Sequence, residues 1–213
     1  MKCKHCGMSC TRKGQDMSMQ TFQNTLKYYN EYMSDGCESI MIGGGEPTLH
    51  PLFWQFIGLT LSLNEYNENT IWLATNGSQT KTALALANMA QKGVISVALS
   101  QDDFHDPIDQ RVVKAFTKDS YDYICKPNVE DFREIRNVNN YIINTGRAKR
   151  LKGYDVHDDC ICNHLFIKPD GTVRACGCTK SPSFGNINTK VTIPDAWDTN
   201  ACYKDQPIPE DIM

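Results

Sequence analysis

The chain has 213 residues, of which 40% are hydrophobic and 22% charged, and its formal net charge is -3. This composition excludes a disordered, collagen-like or coiled-coil protein. Acidic and basic residues are nearly balanced, so we expect no nucleic-acid partner. No apolar run approaches about 18 residues, so we expect no membrane span.

The middle of the chain alternates predicted helices and strands. Ser18 is a candidate cap for a helix that ends at Gly36, and Phe22 and Leu26 follow it at helical spacing. Strands are predicted at 39–42, 70–74, 94–99, 121–125 and 141–143, and further helices at 51–63, 80–91, 110–116 and 129–139. This alternation indicates a parallel α/β sheet, in which ligands bind beyond the carboxyl ends of the strands.

The character of the sequence changes after residue 150. Residues 154–159 are polar and acidic, and two short apolar segments then flank Pro169, Asp170 and Gly171. An apolar pair of segments around such a turn predicts a β-hairpin. We therefore expect two domains, 1–152 and 153–213.

Ten cysteines are the unusual feature of the composition. The first residues lack the apolar segment of a secretory signal, so we expect a cytoplasmic protein whose thiols bind metal and do not form disulfides. The cysteines form an N-terminal set and a C-terminal set: Cys3, Cys6 and Cys10; Cys160, Cys162, Cys176 and Cys178, with Cys202 beyond them. The spacing fits either zinc or an iron–sulfur cluster at both sites and leaves the metal open.

Glycine-rich or polar residues follow several of the predicted strands. The most specific of these elements is Gly43, Gly44, Gly45, Glu46 and Pro47. Glycines let a backbone approach a ligand closely, although a tight turn is the alternative interpretation. The element is not a phosphate loop, because the Lys-Ser/Thr pair that should follow is absent.

Later strand ends carry Asn76, Ser100 and Arg147. Arg147 either binds an anionic group or belongs to a basic surface cluster with Arg150. The acidic loop that contains Asp102 and His105 is either solvated or binds a cation or polar substrate. His50 is expected to order the loop around it.

Together these residues resemble the radical S-adenosylmethionine (SAM) enzymes. Cys3-x2-Cys6 is similar to the second half of the CxxxCxxC cluster loop of that family, residues 43–47 to its GGEP motif, and 146–148 (Gly-Arg-Ala) to an element before a C-terminal cluster domain. The first cysteine of CxxxCxxC and the first strand of the family would precede Met1. Either the natural chain starts upstream of Met1, or Cys10 supplies the third thiolate.

The C-terminal region resembles a SPASM or shortened twitch domain. Cys160, Gly171 and Cys176 fit the CX9-15GX4C pattern of that domain. The two resemblances imply an α/β fold of a particular kind: a partial (β/α)6 barrel of the radical SAM type that lacks its first strand, followed by a small C-terminal β-hairpin cluster domain.

The resemblance also implies an oxidoreductase activity and its cofactors. Three cysteines would hold a 4Fe-4S cluster, and reductive cleavage of SAM would give a 5′-deoxyadenosyl radical that abstracts hydrogen from a substrate. The glycines and Glu46 would hold the amino group of SAM, Arg147 its carboxylate, and Asn76 or Ser100 the ribose or adenine. The C-terminal cysteines would hold one auxiliary iron–sulfur cluster.

The implied partners are SAM, an electron donor such as flavodoxin or ferredoxin, and a peptide or protein substrate. No catalytic side chain is identified by the sequence. The alternative is a non-catalytic or degenerate protein with a radical-SAM-like fold that zinc stabilises.

Overall fold

The structure is a computed structural model of the whole chain. It describes residues 3–8, 10–11, 13–32, 39–63, 70–118, 130–137, 139, 142–144, 146–154, 156–157, 165–178, 180–195, 197–198, 204 and 206. The α-helices are α1 (Met19–Tyr32), α2 (Phe53–Leu61), α3 (Thr80–Gln91) and α4 (Gln110–Phe116), with 3-10 segments at Pro47–Leu49 and Gly146–Arg150. The strands are β1 (Ile40–Ile42), β2 (Ile71–Thr75), β3 (Ser96–Ser100), β4 (Arg133–Arg136), β5 (Ile142–Ile143), β6 (Val156–His157), β7 (Phe166–Ile167), β8 (Thr172–Arg174), β9 (Ser183–Asn186) and β10 (Lys190–Val191).

The described residues pack into two compact units. One contains residues 33–140, and the other contains residues 2–32 together with 141–213. The predicted domain boundary near residue 152 stays a prediction. Among the helices that the structure describes, none is both long and apolar enough to cross a bilayer.

The unit of residues 33–140 contains a parallel sheet in the order β1-β2-β3-β4. Leu73 in β2 lies opposite Ile42 in β1 on one side and Val97 in β3 on the other. The alternation of helix and strand therefore builds the parallel α/β sheet that the sequence predicts. The closure of this sheet into a partial barrel stays a prediction.

The core of this unit follows from the spacing of apolar residues. Alternate residues of β2 are buried, and α3 buries positions one and two turns apart, including Leu86 and Ala90. The strands and the helices α2, α3 and α4 contribute to one apolar cluster: Phe53, Ile57, Ile71, Leu73, Ala83, Leu86, Ala87, Ala90, Ile95, Val97, Leu99, Val112 and Phe116. Packing of α2, α3 and α4 against β2 and β3 fixes where the carboxyl ends of those strands lie.

The helix predicted at 129–139 is wrong, because this segment contains β4. The apolar residues Phe132 and Ile135 are three apart, which suggested a helix. In the structure β4 pairs with β3, and the Val97 N–H donates to the Phe132 carbonyl at 3.2 Å. Pairing along the edge of a preformed sheet overrides a weak local preference. The strand predicted at 121–125 lies outside the described residues.

The second unit contains the predicted hairpin, formed by β7 and β8. The Gly171 N–H donates to the Lys168 carbonyl at 2.8 Å across the turn. The antiparallel sheet continues in the order β10-β9-β8-β7. Its core contains Val173, Ala175, Cys176, Phe184 and Trp197, with the last two rings edge to face at 5.0 Å.

Helix α1, in the same unit, begins as the sequence predicts. Ser18 Oγ accepts a hydrogen bond from the Thr21 N–H at 3.1 Å, which satisfies one of the free amides of the first turn. Asn188, beyond β9, donates to Thr21 Oγ1 and accepts from Asn24. The turn after β9 is therefore attached to the start of α1 by side-chain hydrogen bonds.

Two Asp–Arg pairs of identical spacing differ in burial. The Arg133 side chain is 5% exposed, donates to Asp131, and reaches the Ala115 carbonyl of α4 at 2.7 Å. The Arg111 side chain is 74% exposed, and the hydrogen bonds that the structure describes for it all go to Asp109. The buried pair connects β4 to α4, whereas the exposed pair lies at the start of α4.

We predict that Arg133→Met lowers the free energy of unfolding by roughly 1–3 kcal/mol, because the Ala115 carbonyl and the Asp131 carboxylate lose their donor. Arg111→Met should change it little, since exposed pairs are screened by water. Urea unfolding of both variants checks the difference. Equal effects of the two substitutions would contradict the role of burial.

The same pair should make stability depend on pH. Burial raises the pKa of Asp131, but the hydrogen bonds and charge of Arg133 outweigh burial and hold the pKa below its ordinary value. A lowered pKa stabilises the fold above the ordinary value of about 3.9, and this contribution is lost as the pH falls through the folded value. The difference between Arg133→Met and the unsubstituted chain should therefore shrink below about pH 4.

Candidate functional site

The N-terminal cysteine set forms one compact loop in the unit of residues 2–32 and 141–213. Cys3, Cys6 and Cys10 are all half-buried. The Cys6 N–H donates to the Cys3 carbonyl at 3.3 Å, and the Cys10 N–H donates to Cys6 Sγ at 3.3 Å. The loop therefore brings Cys6 Sγ beside Cys10, and the described residues of the loop form no helix or strand.

The three thiols interact electrostatically. The hydrogen bond with the Cys10 thiol outweighs burial and lowers the pKa of Cys6 to about 5, to which Arg147 also contributes. The same hydrogen bond, together with burial, raises the pKa of Cys10. Burial and the nearby Cys6 raise the pKa of Cys3. Three sulfurs that compete for one negative charge suit a metal centre, whose positive charge would let all of them ionise.

Gly146 and Arg147, of the 3-10 segment Gly146–Arg150, lie against this loop. The Arg147 N–H donates to the Cys6 carbonyl at 3.0 Å, and Arg147 Nε donates to the Cys3 carbonyl at 3.0 Å. Arg147 thus contacts the cysteine loop itself. Its expected pairing with a ligand carboxylate stays a prediction.

The glycine-rich element follows β1 in the other unit. Gly43, Gly44 and Gly45 are exposed, and no atom lies within 4 Å of the position that a Cβ of Gly43 or Gly44 would occupy. Gly44 has φ +131, a conformation that residues with a side chain rarely adopt. The element is therefore exposed, with open space beside Gly43 and Gly44, and its binding to a ligand stays a prediction.

Glu46, the next residue, is buried, and its carboxylate accepts four described hydrogen bonds from its own unit. Its Oε1 accepts from the Thr48 N–H at 3.3 Å, the Thr48 hydroxyl at 2.6 Å and the Thr75 hydroxyl at 2.7 Å. Its Oε2 accepts from the Asn76 N–H at 2.7 Å. The carboxylate therefore joins the loop after β1 to the end of β2, a structural role that the sequence did not indicate.

The other strand-end residues lie at the same edge of the sheet. Asn76 follows β2, and its Oδ1 accepts from the Ser78 N–H at 2.9 Å, which forms a tight turn. Ser100 is the last residue of β3 and is half-buried. His50 accepts from the Leu52 N–H at Nδ1 and packs on Phe56, so it orders its loop as expected.

A cavity of about 290 Å³ lies beyond the end of β3. The side chain of Asp102 is 0% exposed and that of His105 is 9% exposed, with 2.8 Å between Asp102 Oδ1 and His105 Nδ1. Both residues line the cavity. Asp103 and Asp106 of this loop are exposed, as a solvated loop would have them, whereas the Asp102 and His105 side chains are buried as a pair. The sequence carries no local signal that these two side chains would be buried.

The C-terminal cysteines are described in part. Cys176 is buried, Cys178 is half-buried, and the Cys178 N–H lies 3.5 Å from Cys176 Sγ. Burial raises the pKa of Cys176, while the hydrogen bond from the Cys178 N–H lowers it and the Cys178 thiol raises it; the net direction is upward. Cys160, Cys162 and Cys202 lie outside the described residues. The structure thus brings two of the predicted ligands together, on the loop that follows β8.

Comparison with known families gives one result that covers most of the chain. The model of the Radical SAM superfamily matches residues 1–143. The chain belongs to this superfamily. Comparisons with curated proteins and with solved structures found no match. Radical SAM proteins are generally enzymes that use a 4Fe-4S cluster and SAM, so membership indicates SAM cleavage chemistry.

The three-thiol loop is consistent with the cofactor of this superfamily. Cysteine thiolates are the usual protein ligands of iron–sulfur clusters, and Cys3, Cys6 and Cys10 lie on one short loop. The fixed positive charge of Arg147 beside that loop offsets part of the negative charge that three thiolates bring. The C-terminal resemblance to a SPASM or twitch domain stays a prediction.

Substitution of Glu46 by Gln tests the role of its carboxylate. In either orientation of the new amide, its NH₂ group faces a backbone N–H, that of Thr48 or that of Asn76. One buried donor is then left without an acceptor, and we expect the free energy of unfolding to fall by roughly 1–3 kcal/mol.

The matched control for this prediction is Glu134→Gln, at an exposed position of β4 in the same sheet. Urea unfolding of the two variants should show a loss for Glu46→Gln and little change for Glu134→Gln. Unaltered stability of Glu46→Gln would mean that the four hydrogen bonds contribute nothing net.

Proposed function

We propose that this radical SAM protein is an enzyme that cleaves SAM reductively at a 4Fe-4S cluster held by Cys3, Cys6 and Cys10, and that it abstracts hydrogen from a peptide or protein. The observation that carries the proposal is the three-thiol loop beside Arg147, in a chain that belongs to the superfamily. The hydrogen bond between Cys10 and Cys6 supports Cys10 as the third ligand.

When bound, the cluster would supply the electron that breaks the sulfonium bond of SAM. The task of the chain is then to hold the ligands and to exclude water. Cys3, Cys6 and Cys10 would bind three irons. Arg147 would hold the loop and offset its charge.

The glycine-rich element would bind the methionyl end of SAM. The exposed carbonyls of Gly43, Gly44 and Gly45 would accept from its amino group. Glu46 Oε2 accepts one described hydrogen bond, and a carboxylate oxygen can accept a second. Glu46 would thus both position the glycines and add negative charge near that amino group. Asn76 or Ser100 would hydrogen-bond the ribose or adenine.

The cavity beside Asp102 is a candidate contact surface for the reacting part of the substrate. Its buried Asp102–His105 pair would orient a polar group there, since the carboxylate fixes the imidazole. A peptide or protein substrate rests on the resemblance of the C-terminal region to domains that accompany peptide-modifying enzymes. The electron donor would be a flavodoxin or ferredoxin.

The C-terminal cysteines would hold one auxiliary iron–sulfur cluster. The proximity of Cys176 and Cys178 supports a shared metal, and Cys160 with either Cys162 or Cys202 would complete the ligands. Zinc is the competing occupant, because four thiolates suit it equally well.

We predict that Cys3→Ala and Cys6→Ala each abolish the formation of 5′-deoxyadenosine from SAM under dithionite, because each removes an iron ligand. The matched control is Cys125→Ala, which alters a cysteine outside both sets. Product formation is measured by chromatography after anaerobic reconstitution with iron and sulfide. Wild-type cleavage by either variant contradicts the assignment. A colourless protein with stoichiometric zinc would favour the non-catalytic alternative.

For the auxiliary site we predict that Cys176→Ala combined with Cys178→Ala removes about four irons, the content of one 4Fe-4S cluster, and leaves SAM cleavage intact. Metal binding is coupled to local folding, so proteolysis of the C-terminal region should also become faster. Iron analysis and limited proteolysis check both effects, again against Cys125→Ala. Full iron content in the double variant, or a site filled by zinc alone, would refute an auxiliary cluster.

A further inference from the structure

The backbone of the N-terminal cysteine loop is contacted by a distant segment of the same unit. At Gly146, φ is +54, and a Cβ would lie 2.6 Å from the Gly7 carbonyl carbon and 2.7 Å from the Cys6 carbonyl oxygen. Separations under 3 Å are not tolerated between such atoms, so a side chain here would displace the loop. Only glycine allows the two backbones to lie this close.

Arg147 holds the same loop at two points. Its backbone N–H donates to the Cys6 carbonyl and its Nε donates to the Cys3 carbonyl, both at 3.0 Å. These carbonyls belong to the first and last residues of Cys3-x2-Cys6. Two donors from one half-buried residue therefore fix the relative position of two candidate iron ligands.

The guanidinium also brings a permanent positive charge to the loop. Arginine remains protonated at every working pH, and charge near an iron–sulfur cluster is one of the factors that set its reduction potential. A cation beside the cluster favours the reduced, more negative state. Removal of that charge should therefore make the cluster harder to reduce.

We propose that Gly146 and Arg147 form a clamp that shapes the cysteine loop before metal binds and raises the reduction potential of the cluster. The clamp deepens the proposed function: its effect on the reduction potential rests on that function, whereas its shaping of the loop does not. Arg147 acts here as a positioning residue through the backbone of the ligands. This role does not depend on SAM.

The first test uses the metal-free chain and needs no cluster. Hydrogen exchange by mass spectrometry should show faster exchange of peptides covering residues 3–10 in Arg147→Gln and in Gly146→Ala. Arg150→Gln is the matched control, because Arg150 is an exposed arginine of the same 3-10 segment. Unchanged exchange in both clamp variants overturns the shaping role, whether or not the chain ever binds iron.

The second test uses the reconstituted protein without SAM. The reduction potential, followed by the electron paramagnetic resonance signal of the reduced cluster, should shift to a more negative value in Arg147→Gln. Arg147→Lys, which keeps the charge, should largely restore it, and Arg150→Gln should leave it unchanged. Iron loss to a chelator should be roughly tenfold faster in Arg147→Gln, as for other changes to groups that orient metal ligands.

The outcomes of this second test separate the two proposals. An unshifted potential in Arg147→Gln overturns the electrostatic part of the clamp. A merely structural role would leave Arg147→Lys as impaired as Arg147→Gln, and that result would also overturn it. Failure of the unsubstituted chain to form any iron–sulfur cluster would refute the proposed function, whereas the exchange measurement on the metal-free chain would still stand.

Discussion

The buried carboxylate of Glu46 is the interaction on which the carboxyl edge of the parallel sheet depends. A carboxylate that is 8% exposed is tolerated only if its oxygens are hydrogen-bonded. Thr48 supplies donors from the 3-10 segment after β1, and Thr75 and Asn76 supply donors from the end of β2. The need to satisfy one buried charge thus fixes the loop after β1 against β2.

This arrangement explains how the exposed glycines, which are the proposed binding surface for SAM, are held in position. Gly43, Gly44 and Gly45 are exposed and have no side chains to anchor them, and Gly44 is in a conformation that favours glycine. Their position is set by Glu46 on one side and by β1 on the other. The buried Glu46 holds the glycine-rich element in place, and the glycines themselves remain exposed.

The cysteine loop in the other unit uses a comparable principle. Residues 3–10 contain no helix or strand among those described, so the loop must be ordered by contacts from elsewhere. Gly146 supplies close backbone packing, and Arg147 supplies two hydrogen bonds and a charge. At both candidate sites, therefore, the residues that we propose as ligand contacts are held by polar groups that bond to the backbone around them.

The C-terminal cysteine set, in the same unit as the cysteine loop, differs because its two described thiols belong to an apolar core. Cys176 packs with Val173, Phe184 and Trp197. Ser181 donates to the Cys176 carbonyl at 2.8 Å, and Arg174 donates in turn to the Ser181 carbonyl. The loop that carries Cys176 and Cys178 is consequently anchored to the small antiparallel sheet.

Much of the fold and the superfamily follow from local sequence patterns alone. Apolar periodicity predicted α3 and α4, short apolar runs that end in glycine or polar residues predicted β1 to β3, and the Pro169-Asp170-Gly171 turn predicted the hairpin of β7 and β8. The superfamily was expected from the resemblance of the first cysteines and the glycine-rich element to its motifs, and the family model confirms it. These features are visible because each depends on residues that are close together in the chain.

Tertiary structure determined the features that depend on distant partners. Residues 129–139 looked helical by spacing, but an edge of β3 was open for pairing and β4 occupies it. Glu46 accepts a hydrogen bond from Thr75, which is 29 residues away in sequence. Arg147 donates one to the carbonyl of Cys3, which is 144 residues away. Nothing near Asp102 in the sequence showed that its side chain would be buried. Burial and long-range hydrogen bonds arise only when the sheet and the loops have packed. Local sequence patterns therefore do not predict them.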